Sequence, residues 1–265
     1  MTGHLRHHGA CSILRRSPCS LTASEPYNFP VPRSSPPVSL DDLASRIFAC
    51  ERCPRLRAYC AEIARTRRRA YADQQYWGKP VPSFGDADAR VLVVGLAPGA
   101  HGSNRTGRPF TGDGSGNFLY PVLHATGFAS QPLALSRDDG MHLRSLWITA
   151  AVRCAPPGNK PLPAEMQNCA PFLDEEISLL RELRVVVCLG KIAFDSYVAH
   201  LLRTGKVADR KGIVFRHGAE YAVPGGLHLL ATYHPSLQNT NTGLLTRKML
   251  NAVFERARTL AGLPA

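Results

Sequence analysis

The chain has no apolar run long enough to span a bilayer as a helix, which needs roughly 20 residues. Segments such as Val91-Leu92-Val93-Val94 are only strand-sized. The first residues carry His and Arg without the apolar core of a secretory signal, so a cytoplasmic, reducing location is expected, beside the nucleoid in a bacterium. Nucleotide fingerprints are missing too. No G-x-G-x-x-G and no G-x-x-x-x-G-K-[ST] occurs, which argues against dinucleotide redox chemistry and P-loop phosphoryl transfer. No internal repeat is visible. Acidic residues are scarce: 20 Asp and Glu stand against 32 Lys and Arg, a net charge of +12 over 265 residues. Such a balance favours polyanionic partners, nucleic acid first and acidic membrane surfaces second.

The first 37 residues combine Pro, Ser and Arg with no sustained apolar period, so a disordered basic extension is expected there. Order is expected from residue 38 to residue 265 as one domain. Ser39-Leu-Asp-Asp-Leu reads as a capped helix start, with Leu40, Leu43 and Ile47 on one face. Four continuous apolar strands follow, near residues 90–95, 145–152, 184–190 and 227–233. Helical stretches at 114–126, 163–182 and 191–203 lie between them, and 244–261 closes the chain. Continuous apolar strands alternating with helices predict an α/β fold: one three-layer α/β/α domain around a four-stranded parallel sheet. Ligands in such folds bind at the carboxyl ends of strands. The unusual residues fall in the loops there, at 95–113, 153–160 and 234–243.

Of eight cysteines, Cys50 and Cys53 form C-x2-C, and Cys154 and Cys169 come about a hundred residues later. In a reducing compartment this pattern points to metal rather than disulfide. Four thiolates suit zinc or an iron–sulfur cluster, and spacing alone does not separate the two. Cys60 is a second-choice ligand. Cys188 reads as core, and Cys11 and Cys19 fall in the extension.

The loop Gly95-Leu-Ala-Pro-Gly99, with further glycines at 102 and 107, implies close backbone approach to a ligand. Pro98 removes an amide that a phosphate cradle would use, so a flat ring suits the loop better. Phe110 offers an aromatic face or a core side chain. Asp113 offers a carboxylate or an N-cap for the helix at 114. His234, in His-Pro-Ser after the fourth strand, sits where strand-end ligands bind. The arginines at 65 and 67–69 form either a solvated face or a phosphate contact.

Together these residues resemble the uracil-DNA glycosylase superfamily. The stretch from Gly95 through Phe110-Thr-Gly-Asp113 resembles the first motif of its fifth family, the type B enzymes, and His234-Pro-Ser the second motif. The resemblance covers roughly residues 40–260. It implies a [4Fe–4S] cluster of structural role on Cys50, Cys53, Cys154 and Cys169. It also implies Asp113 and His234 as catalytic groups, and Phe110, Asn159, Gly95 and Ala97 around the base. Ser236 and Arg108 would contact DNA, with Arg153 and the 65–69 arginines near phosphate. The implied substrate is double-stranded DNA carrying uracil or another deaminated base, acted on by a monomer without lyase activity and with no membrane partner. Leu96, directly after the first glycine, departs from the acidic or polar residue of most of the superfamily. Ala150 and Ala151 stand where related families often keep a base-reading asparagine. Two other readings remain: a non-catalytic, zinc- or cluster-stapled nucleic-acid-binding protein, and an iron–sulfur oxidoreductase.

Overall fold

A computed structural model describes residues 39–264. The extension expected over residues 1–37, with Cys11 and Cys19, lies outside the described residues. The first described residue opens a helix as its sequence predicts. The Ser39 hydroxyl accepts from the Asp42 amide at 3.1 Å, and the Asp42 carboxylate accepts from the Ser39 amide at 3.0 Å. This reciprocal box satisfies two orphan donors and starts α1, Leu40–Phe48. Leu43 and Ile47 bury one face of α1 against Phe172. α2, Pro54–Thr66, begins directly after Cys53, with proline at the first helical position where its missing N–H costs nothing.

The strands are β1 (Phe84–Gly85), β2 (Val91–Gly95), β3 (Leu146–Ala150), β4 (Val185–Leu189), β5 (Glu220–Val223) and β6 (Leu227–Thr232). The remaining helices are α3 (Ser103–Thr106), α4 (Gly114–Ala125), α5 (Pro163–Leu179), α6 (Lys191–Arg203), α7 (Leu237–Asn241) and α8 (Arg247–Leu260). They form one sheet in the order β1-β3-β2-β4-β6-β5. The four central strands run parallel, as expected. The sheet is nevertheless larger than the four strands read from sequence, because β1 and β5 add antiparallel edges. These edge strands are short or half-exposed, so they lack the continuous apolar signature of their neighbours.

Alternate residues of the parallel strands feed two cores. Val91, Val93, Ile148, Val185 and Val187 pack under α4 and α8 with Leu119, Leu123, Leu250 and Phe254. Leu92, Val94, Val186 and Leu229 face Phe194, Tyr197, Val198 and Leu201 of α6. Both faces are covered, which is why these strands read as unbroken apolar runs. From β2 the chain moves to β3 on one side, then crosses to β4 and β6 on the other. That reversal opens a crevice beyond the carboxyl ends of the strands.

A buried ion pair braces one wall of the crevice. Arg153, just beyond β3, donates to Glu176 of α5 at 2.7 Å, and both side chains are 2% exposed. Glu176 also accepts from the Thr149 hydroxyl at 2.5 Å, and Arg153 reaches Ser83. The expected meeting of Arg153 with DNA phosphate is therefore corrected: its charge is neutralised inside the protein by Glu176, although the residue borders the cavity. Removing one partner strands a buried charge, which costs roughly 3–5 kcal/mol. Glu176→Ala is expected to lower the denaturation midpoint accordingly. An unchanged midpoint in urea unfolding would show that the pair contributes nothing.

Candidate active site at the carboxyl ends of the strands

The crevice holds a cavity of about 760 Å³. Its floor is the end of β2. Gly95 is there because the Phe110 ring lies against it: a Cβ would fall 2.9 Å from the ring. Phe110 itself sits at φ 50°, in the left-handed region that costs energy for a non-glycine residue. Its amide donates to the Ser103 hydroxyl at 3.1 Å. Its carbonyl occupies the space above Gly116, where a Cβ would come within 1.8 Å. Phe110 is thus neither a free platform nor an ordinary core residue; the loop holds its ring against the strand end.

Asp113 serves as the N-cap of α4 and also lines the cavity. Oδ1 accepts from the Gly116 amide at 2.9 Å. Oδ2 lies over the loop, where a Cβ on Gly102 would be 2.0 Å away and one on Gly99 would be 3.1 Å away. One oxygen is committed to the helix, and the other faces the glycine loop. Burial raises the Asp113 pKa, offset in part by the Gly116 and Ser115 amides and by Arg105.

His234 follows β6 on the opposite wall. Its ring centroid is 6.0 Å from that of Phe110, tilted by 35°. Gly190 leaves room for it, since a Cβ there would lie 3.1 Å from the His234 Cβ. Asn239 donates to the His234 carbonyl at 2.8 Å and fixes the turn. Burial pushes the His234 pKa down to about 4, so the imidazole is neutral at pH 7.

Asn159, at φ 57° in the turn Pro157–Asn159, stands exposed on the cavity rim. Ala97 lines the cavity and packs against the cysteine cluster behind it. Ser236 caps α7 and borders the cavity. Arg108 does not belong to a DNA-contacting surface. It is 3% exposed and pairs with Asp139 at 2.8 and 2.7 Å. It ties the motif loop to residues 135–141, and that correction rests on a pairing 31 positions away in sequence. Of the 65–69 arginines, Arg65 pairs with Glu62 in solvent, and Arg68 alone reaches the cavity. Leu237, first of the 237–244 stretch from which the sequence suggests a wedge into the DNA stack, also lines it, as do Tyr71 and His101, which no motif reading had singled out as site residues.

Cys53, Cys154 and Cys169 share one buried cluster with Cys60, Leu56 and Val152, and Cys50 packs against Leu43, Ile47 and Phe172. All are free thiols. Asn168 Nδ2 lies 3.6 Å from the Cys53 sulfur and Arg52 Nε 3.5 Å from that of Cys50, both as donors. Cys60 instead bonds the Ala155 carbonyl at 3.6 Å. Among the described residues no three His, Cys, Asp or Glu side chains close on a single ion.

Residues 82–258 match the profile of the uracil DNA glycosylase superfamily. The chain is 55% identical to the type-5 uracil-DNA glycosylase of Thermus thermophilus over 218 residues, 82% of this chain and 96% of that one. It is 46% identical to the type-5 enzyme of Mycobacterium leprae, over 85% of this chain and 97% of that one. This chain belongs to the uracil DNA glycosylase superfamily. A type-4 enzyme of Archaeoglobus fulgidus is more distant, 28% identical over 75% of this chain.

The environment of His234 has a direct test. Its ring resonances, followed by NMR against pH, are expected to titrate near pH 4 rather than near the ordinary value of about 6.5. A midpoint at or above 6.5 would mean that the ring is not desolvated as described.

Proposed function

We propose that this chain flips deaminated bases out of double-stranded DNA and hydrolyses their N-glycosidic bond, removing uracil and also bases such as hypoxanthine. The observation that carries this reading is the Asp113 carboxylate and the neutral His234 imidazole on a cavity floored by an aromatic ring. Extrusion is required because the scissile bond is unreachable within the stack, and mispaired bases cost less to extrude. A volume of about 760 Å³ accommodates a nucleoside.

The flipped ring stacks on Phe110, and Asn159 on the rim hydrogen-bonds its edge. As the bond breaks, negative charge grows on the departing base and positive charge on the sugar. The neutral His234 ring donates its N–H to the base, as an oxyanion donor does. Its low pKa makes it a hydrogen-bond donor rather than a proton source. Asp113 stabilises the oxocarbenium-like sugar and orients the attacking water. Leu96 cannot do this, so the polar help comes from Asp113 alone. Ala150 lines the cavity without a base-reading amide, which fits a broad substrate range. Among the described residues no lysine lines the cavity, which supports a monofunctional reaction without a Schiff base. Leu237 is 58% exposed at the mouth and seated on Gly114, placed to fill the emptied stack.

The thiols of Cys50, Cys53, Cys154 and Cys169 fit a [4Fe–4S] cluster. The donor set is all sulfur, with Cys53, Cys154 and Cys169 buried and Cys50 half-buried. It is not drawn together around one ion. When bound, the cluster braces α1, α2 and α5 against the loop after β3, and it takes no part in hydrolysis.

On a uracil-containing duplex, His234→Ala is expected to lose roughly two to three orders of magnitude in single-turnover rate. Asp113→Asn is expected to fall comparably on uracil and hypoxanthine. Full activity in both variants would sink the assignment, and a covalent adduct trapped by borohydride would contradict the monofunctional chemistry. Cys169→Ala is expected to lose bound iron and to lower the unfolding midpoint before any change in the chemistry of the folded fraction. An iron-free, zinc-replete wild-type protein would favour the zinc-stapled binding protein instead.

A further inference from the structure

The motif loop carries a second histidine that the chemistry above does not use. His101 is half-buried and lines the cavity near Arg68 and Tyr71. Three contacts fix it. Arg105 Nε donates to its carbonyl at 2.8 Å. The Tyr76 ring meets its ring edge-on, with centroids 6.1 Å apart at 80°. The Tyr76 hydroxyl lies 3.1 Å from its Nδ1.

Hydrogen-bond accounting then sets the tautomer. Tyr76 is 7% exposed, so its hydroxyl needs partners within the protein. Its oxygen already accepts from the Arg68 amide at 3.3 Å. Its single proton has one acceptor among the described residues, His101 Nδ1. In the opposite tautomer both groups would present hydrogens, and a buried hydroxyl proton would go unpaired at a cost. The relay therefore runs from the Arg68 amide to the Tyr76 hydroxyl to Nδ1, and it leaves the His101 proton on Nε2. That N–H has no partner among the described residues. Burial and the guanidinium groups of Arg68 and Arg105 both lower the His101 pKa. The nearest carboxylate of the loop is Asp113, whose Oδ1 is held by α4.

We infer that His101 Nε2–H, oriented by Tyr76 and flanked by Arg68, is a donor for a backbone phosphate of the DNA strand that carries the flipped nucleotide. A donor with no acceptor capacity, beside an exposed guanidinium, selects an anionic oxygen rather than a base edge. The inference rests on the DNA reading above. It assigns His101 as a binding residue and Tyr76 as the positioning residue behind it.

The test uses the full chain in two measurements. NMR of the imidazole nitrogens in the free protein is expected to show the Nε2–H tautomer of His101, with Tyr76→Phe giving a mixture. A predominant Nδ1–H form overturns the inference whatever the substrate is. Binding is then measured to uracil duplexes in which single phosphates are replaced by neutral methylphosphonates. At one position beside the lesion, wild type is expected to lose about tenfold in affinity, as for a hydrogen bond to a charged group. His101→Ala should bind unmodified duplex about tenfold more weakly and be indifferent to that replacement. His101→Gln, whose amide N–H can stand in for Nε2–H, should recover most of the affinity. Arg68→Ala should reduce the salt dependence by about one phosphate contact. Active wild type with His101→Ala still sensitive at every phosphate refutes the phosphate contact alone. Wild type that neither binds nor cleaves any uracil duplex refutes the function, and the contact with it.

Discussion

The site depends on side chains occupying space that Cβ atoms would otherwise fill. The Phe110 ring lies where a side chain on Gly95 would project, and Asp113 Oδ2 lies where one on Gly102 would. The Phe110 carbonyl fills the place of a Cβ on Gly116. These overlaps leave one arrangement for the loop, so the aromatic face and the carboxylate are fixed before a ligand arrives. Such preorganisation is what electrostatic catalysis needs, because dipoles that need not reorganise stabilise developing charge at little cost. The strain at Phe110 is held by the same contacts, with its amide bonded to Ser103 and its carbonyl locked over α4.

Two ionisable groups around that loop are pushed in complementary directions by one cause. Burial raises the Asp113 pKa and lowers that of His234, favouring the neutral form of each. The outcome differs because Asp113 is compensated and His234 is not. The N-terminal amides of α4 and the Arg105 charge favour the carboxylate, while no opposite charge meets the imidazole. A carboxylate held by a helix end and an uncharged donor across the cavity suit a reaction that separates charge between sugar and base.

Much of this was legible in the chain. The four parallel strands could be read because a sheet covered on both faces leaves unbroken apolar runs. The capping box at Ser39 and the cap at Asp113 could be read because both are local. The edge strands could not, since Phe84–Gly85 is too short and Glu220–Val223 too exposed to carry a pattern. Arg108 and Arg153 misled for a different reason. Arginines in a basic chain suggest phosphate, yet Asp139 and Glu176 neutralise these two from positions far along the sequence. Tyr71 and His101 went unnoticed as site residues, and Arg68 could be named only as one of a run of arginines, because only the fold brings the segment after α2 beside the motif loop.

The cysteines occupy a particular mechanical place. They join α1, α2, the loop after β3 and α5, adding to the packing of Leu43 and Ile47 on Phe172 and the pairing of Arg55 with Glu165. Ala97 is the point of contact with the site: one side lines the cavity and the other packs on the cysteine cluster. Anything that holds the four sulfurs together therefore sets the position of the cavity wall from behind. Arg153 works on the same wall from the sheet side, through Glu176. The wall that borders the base is thus anchored twice, once by sulfur and once by a buried ion pair. The facing wall, from Gly190 to His234, is held by the Gly190 amide on the Thr232 carbonyl, by His217 against Thr232 and Tyr233, and by the Asn239 bond to the His234 carbonyl. Each wall is thus tied to the sheet by contacts of its own, Arg153 on one side and His217 on the other.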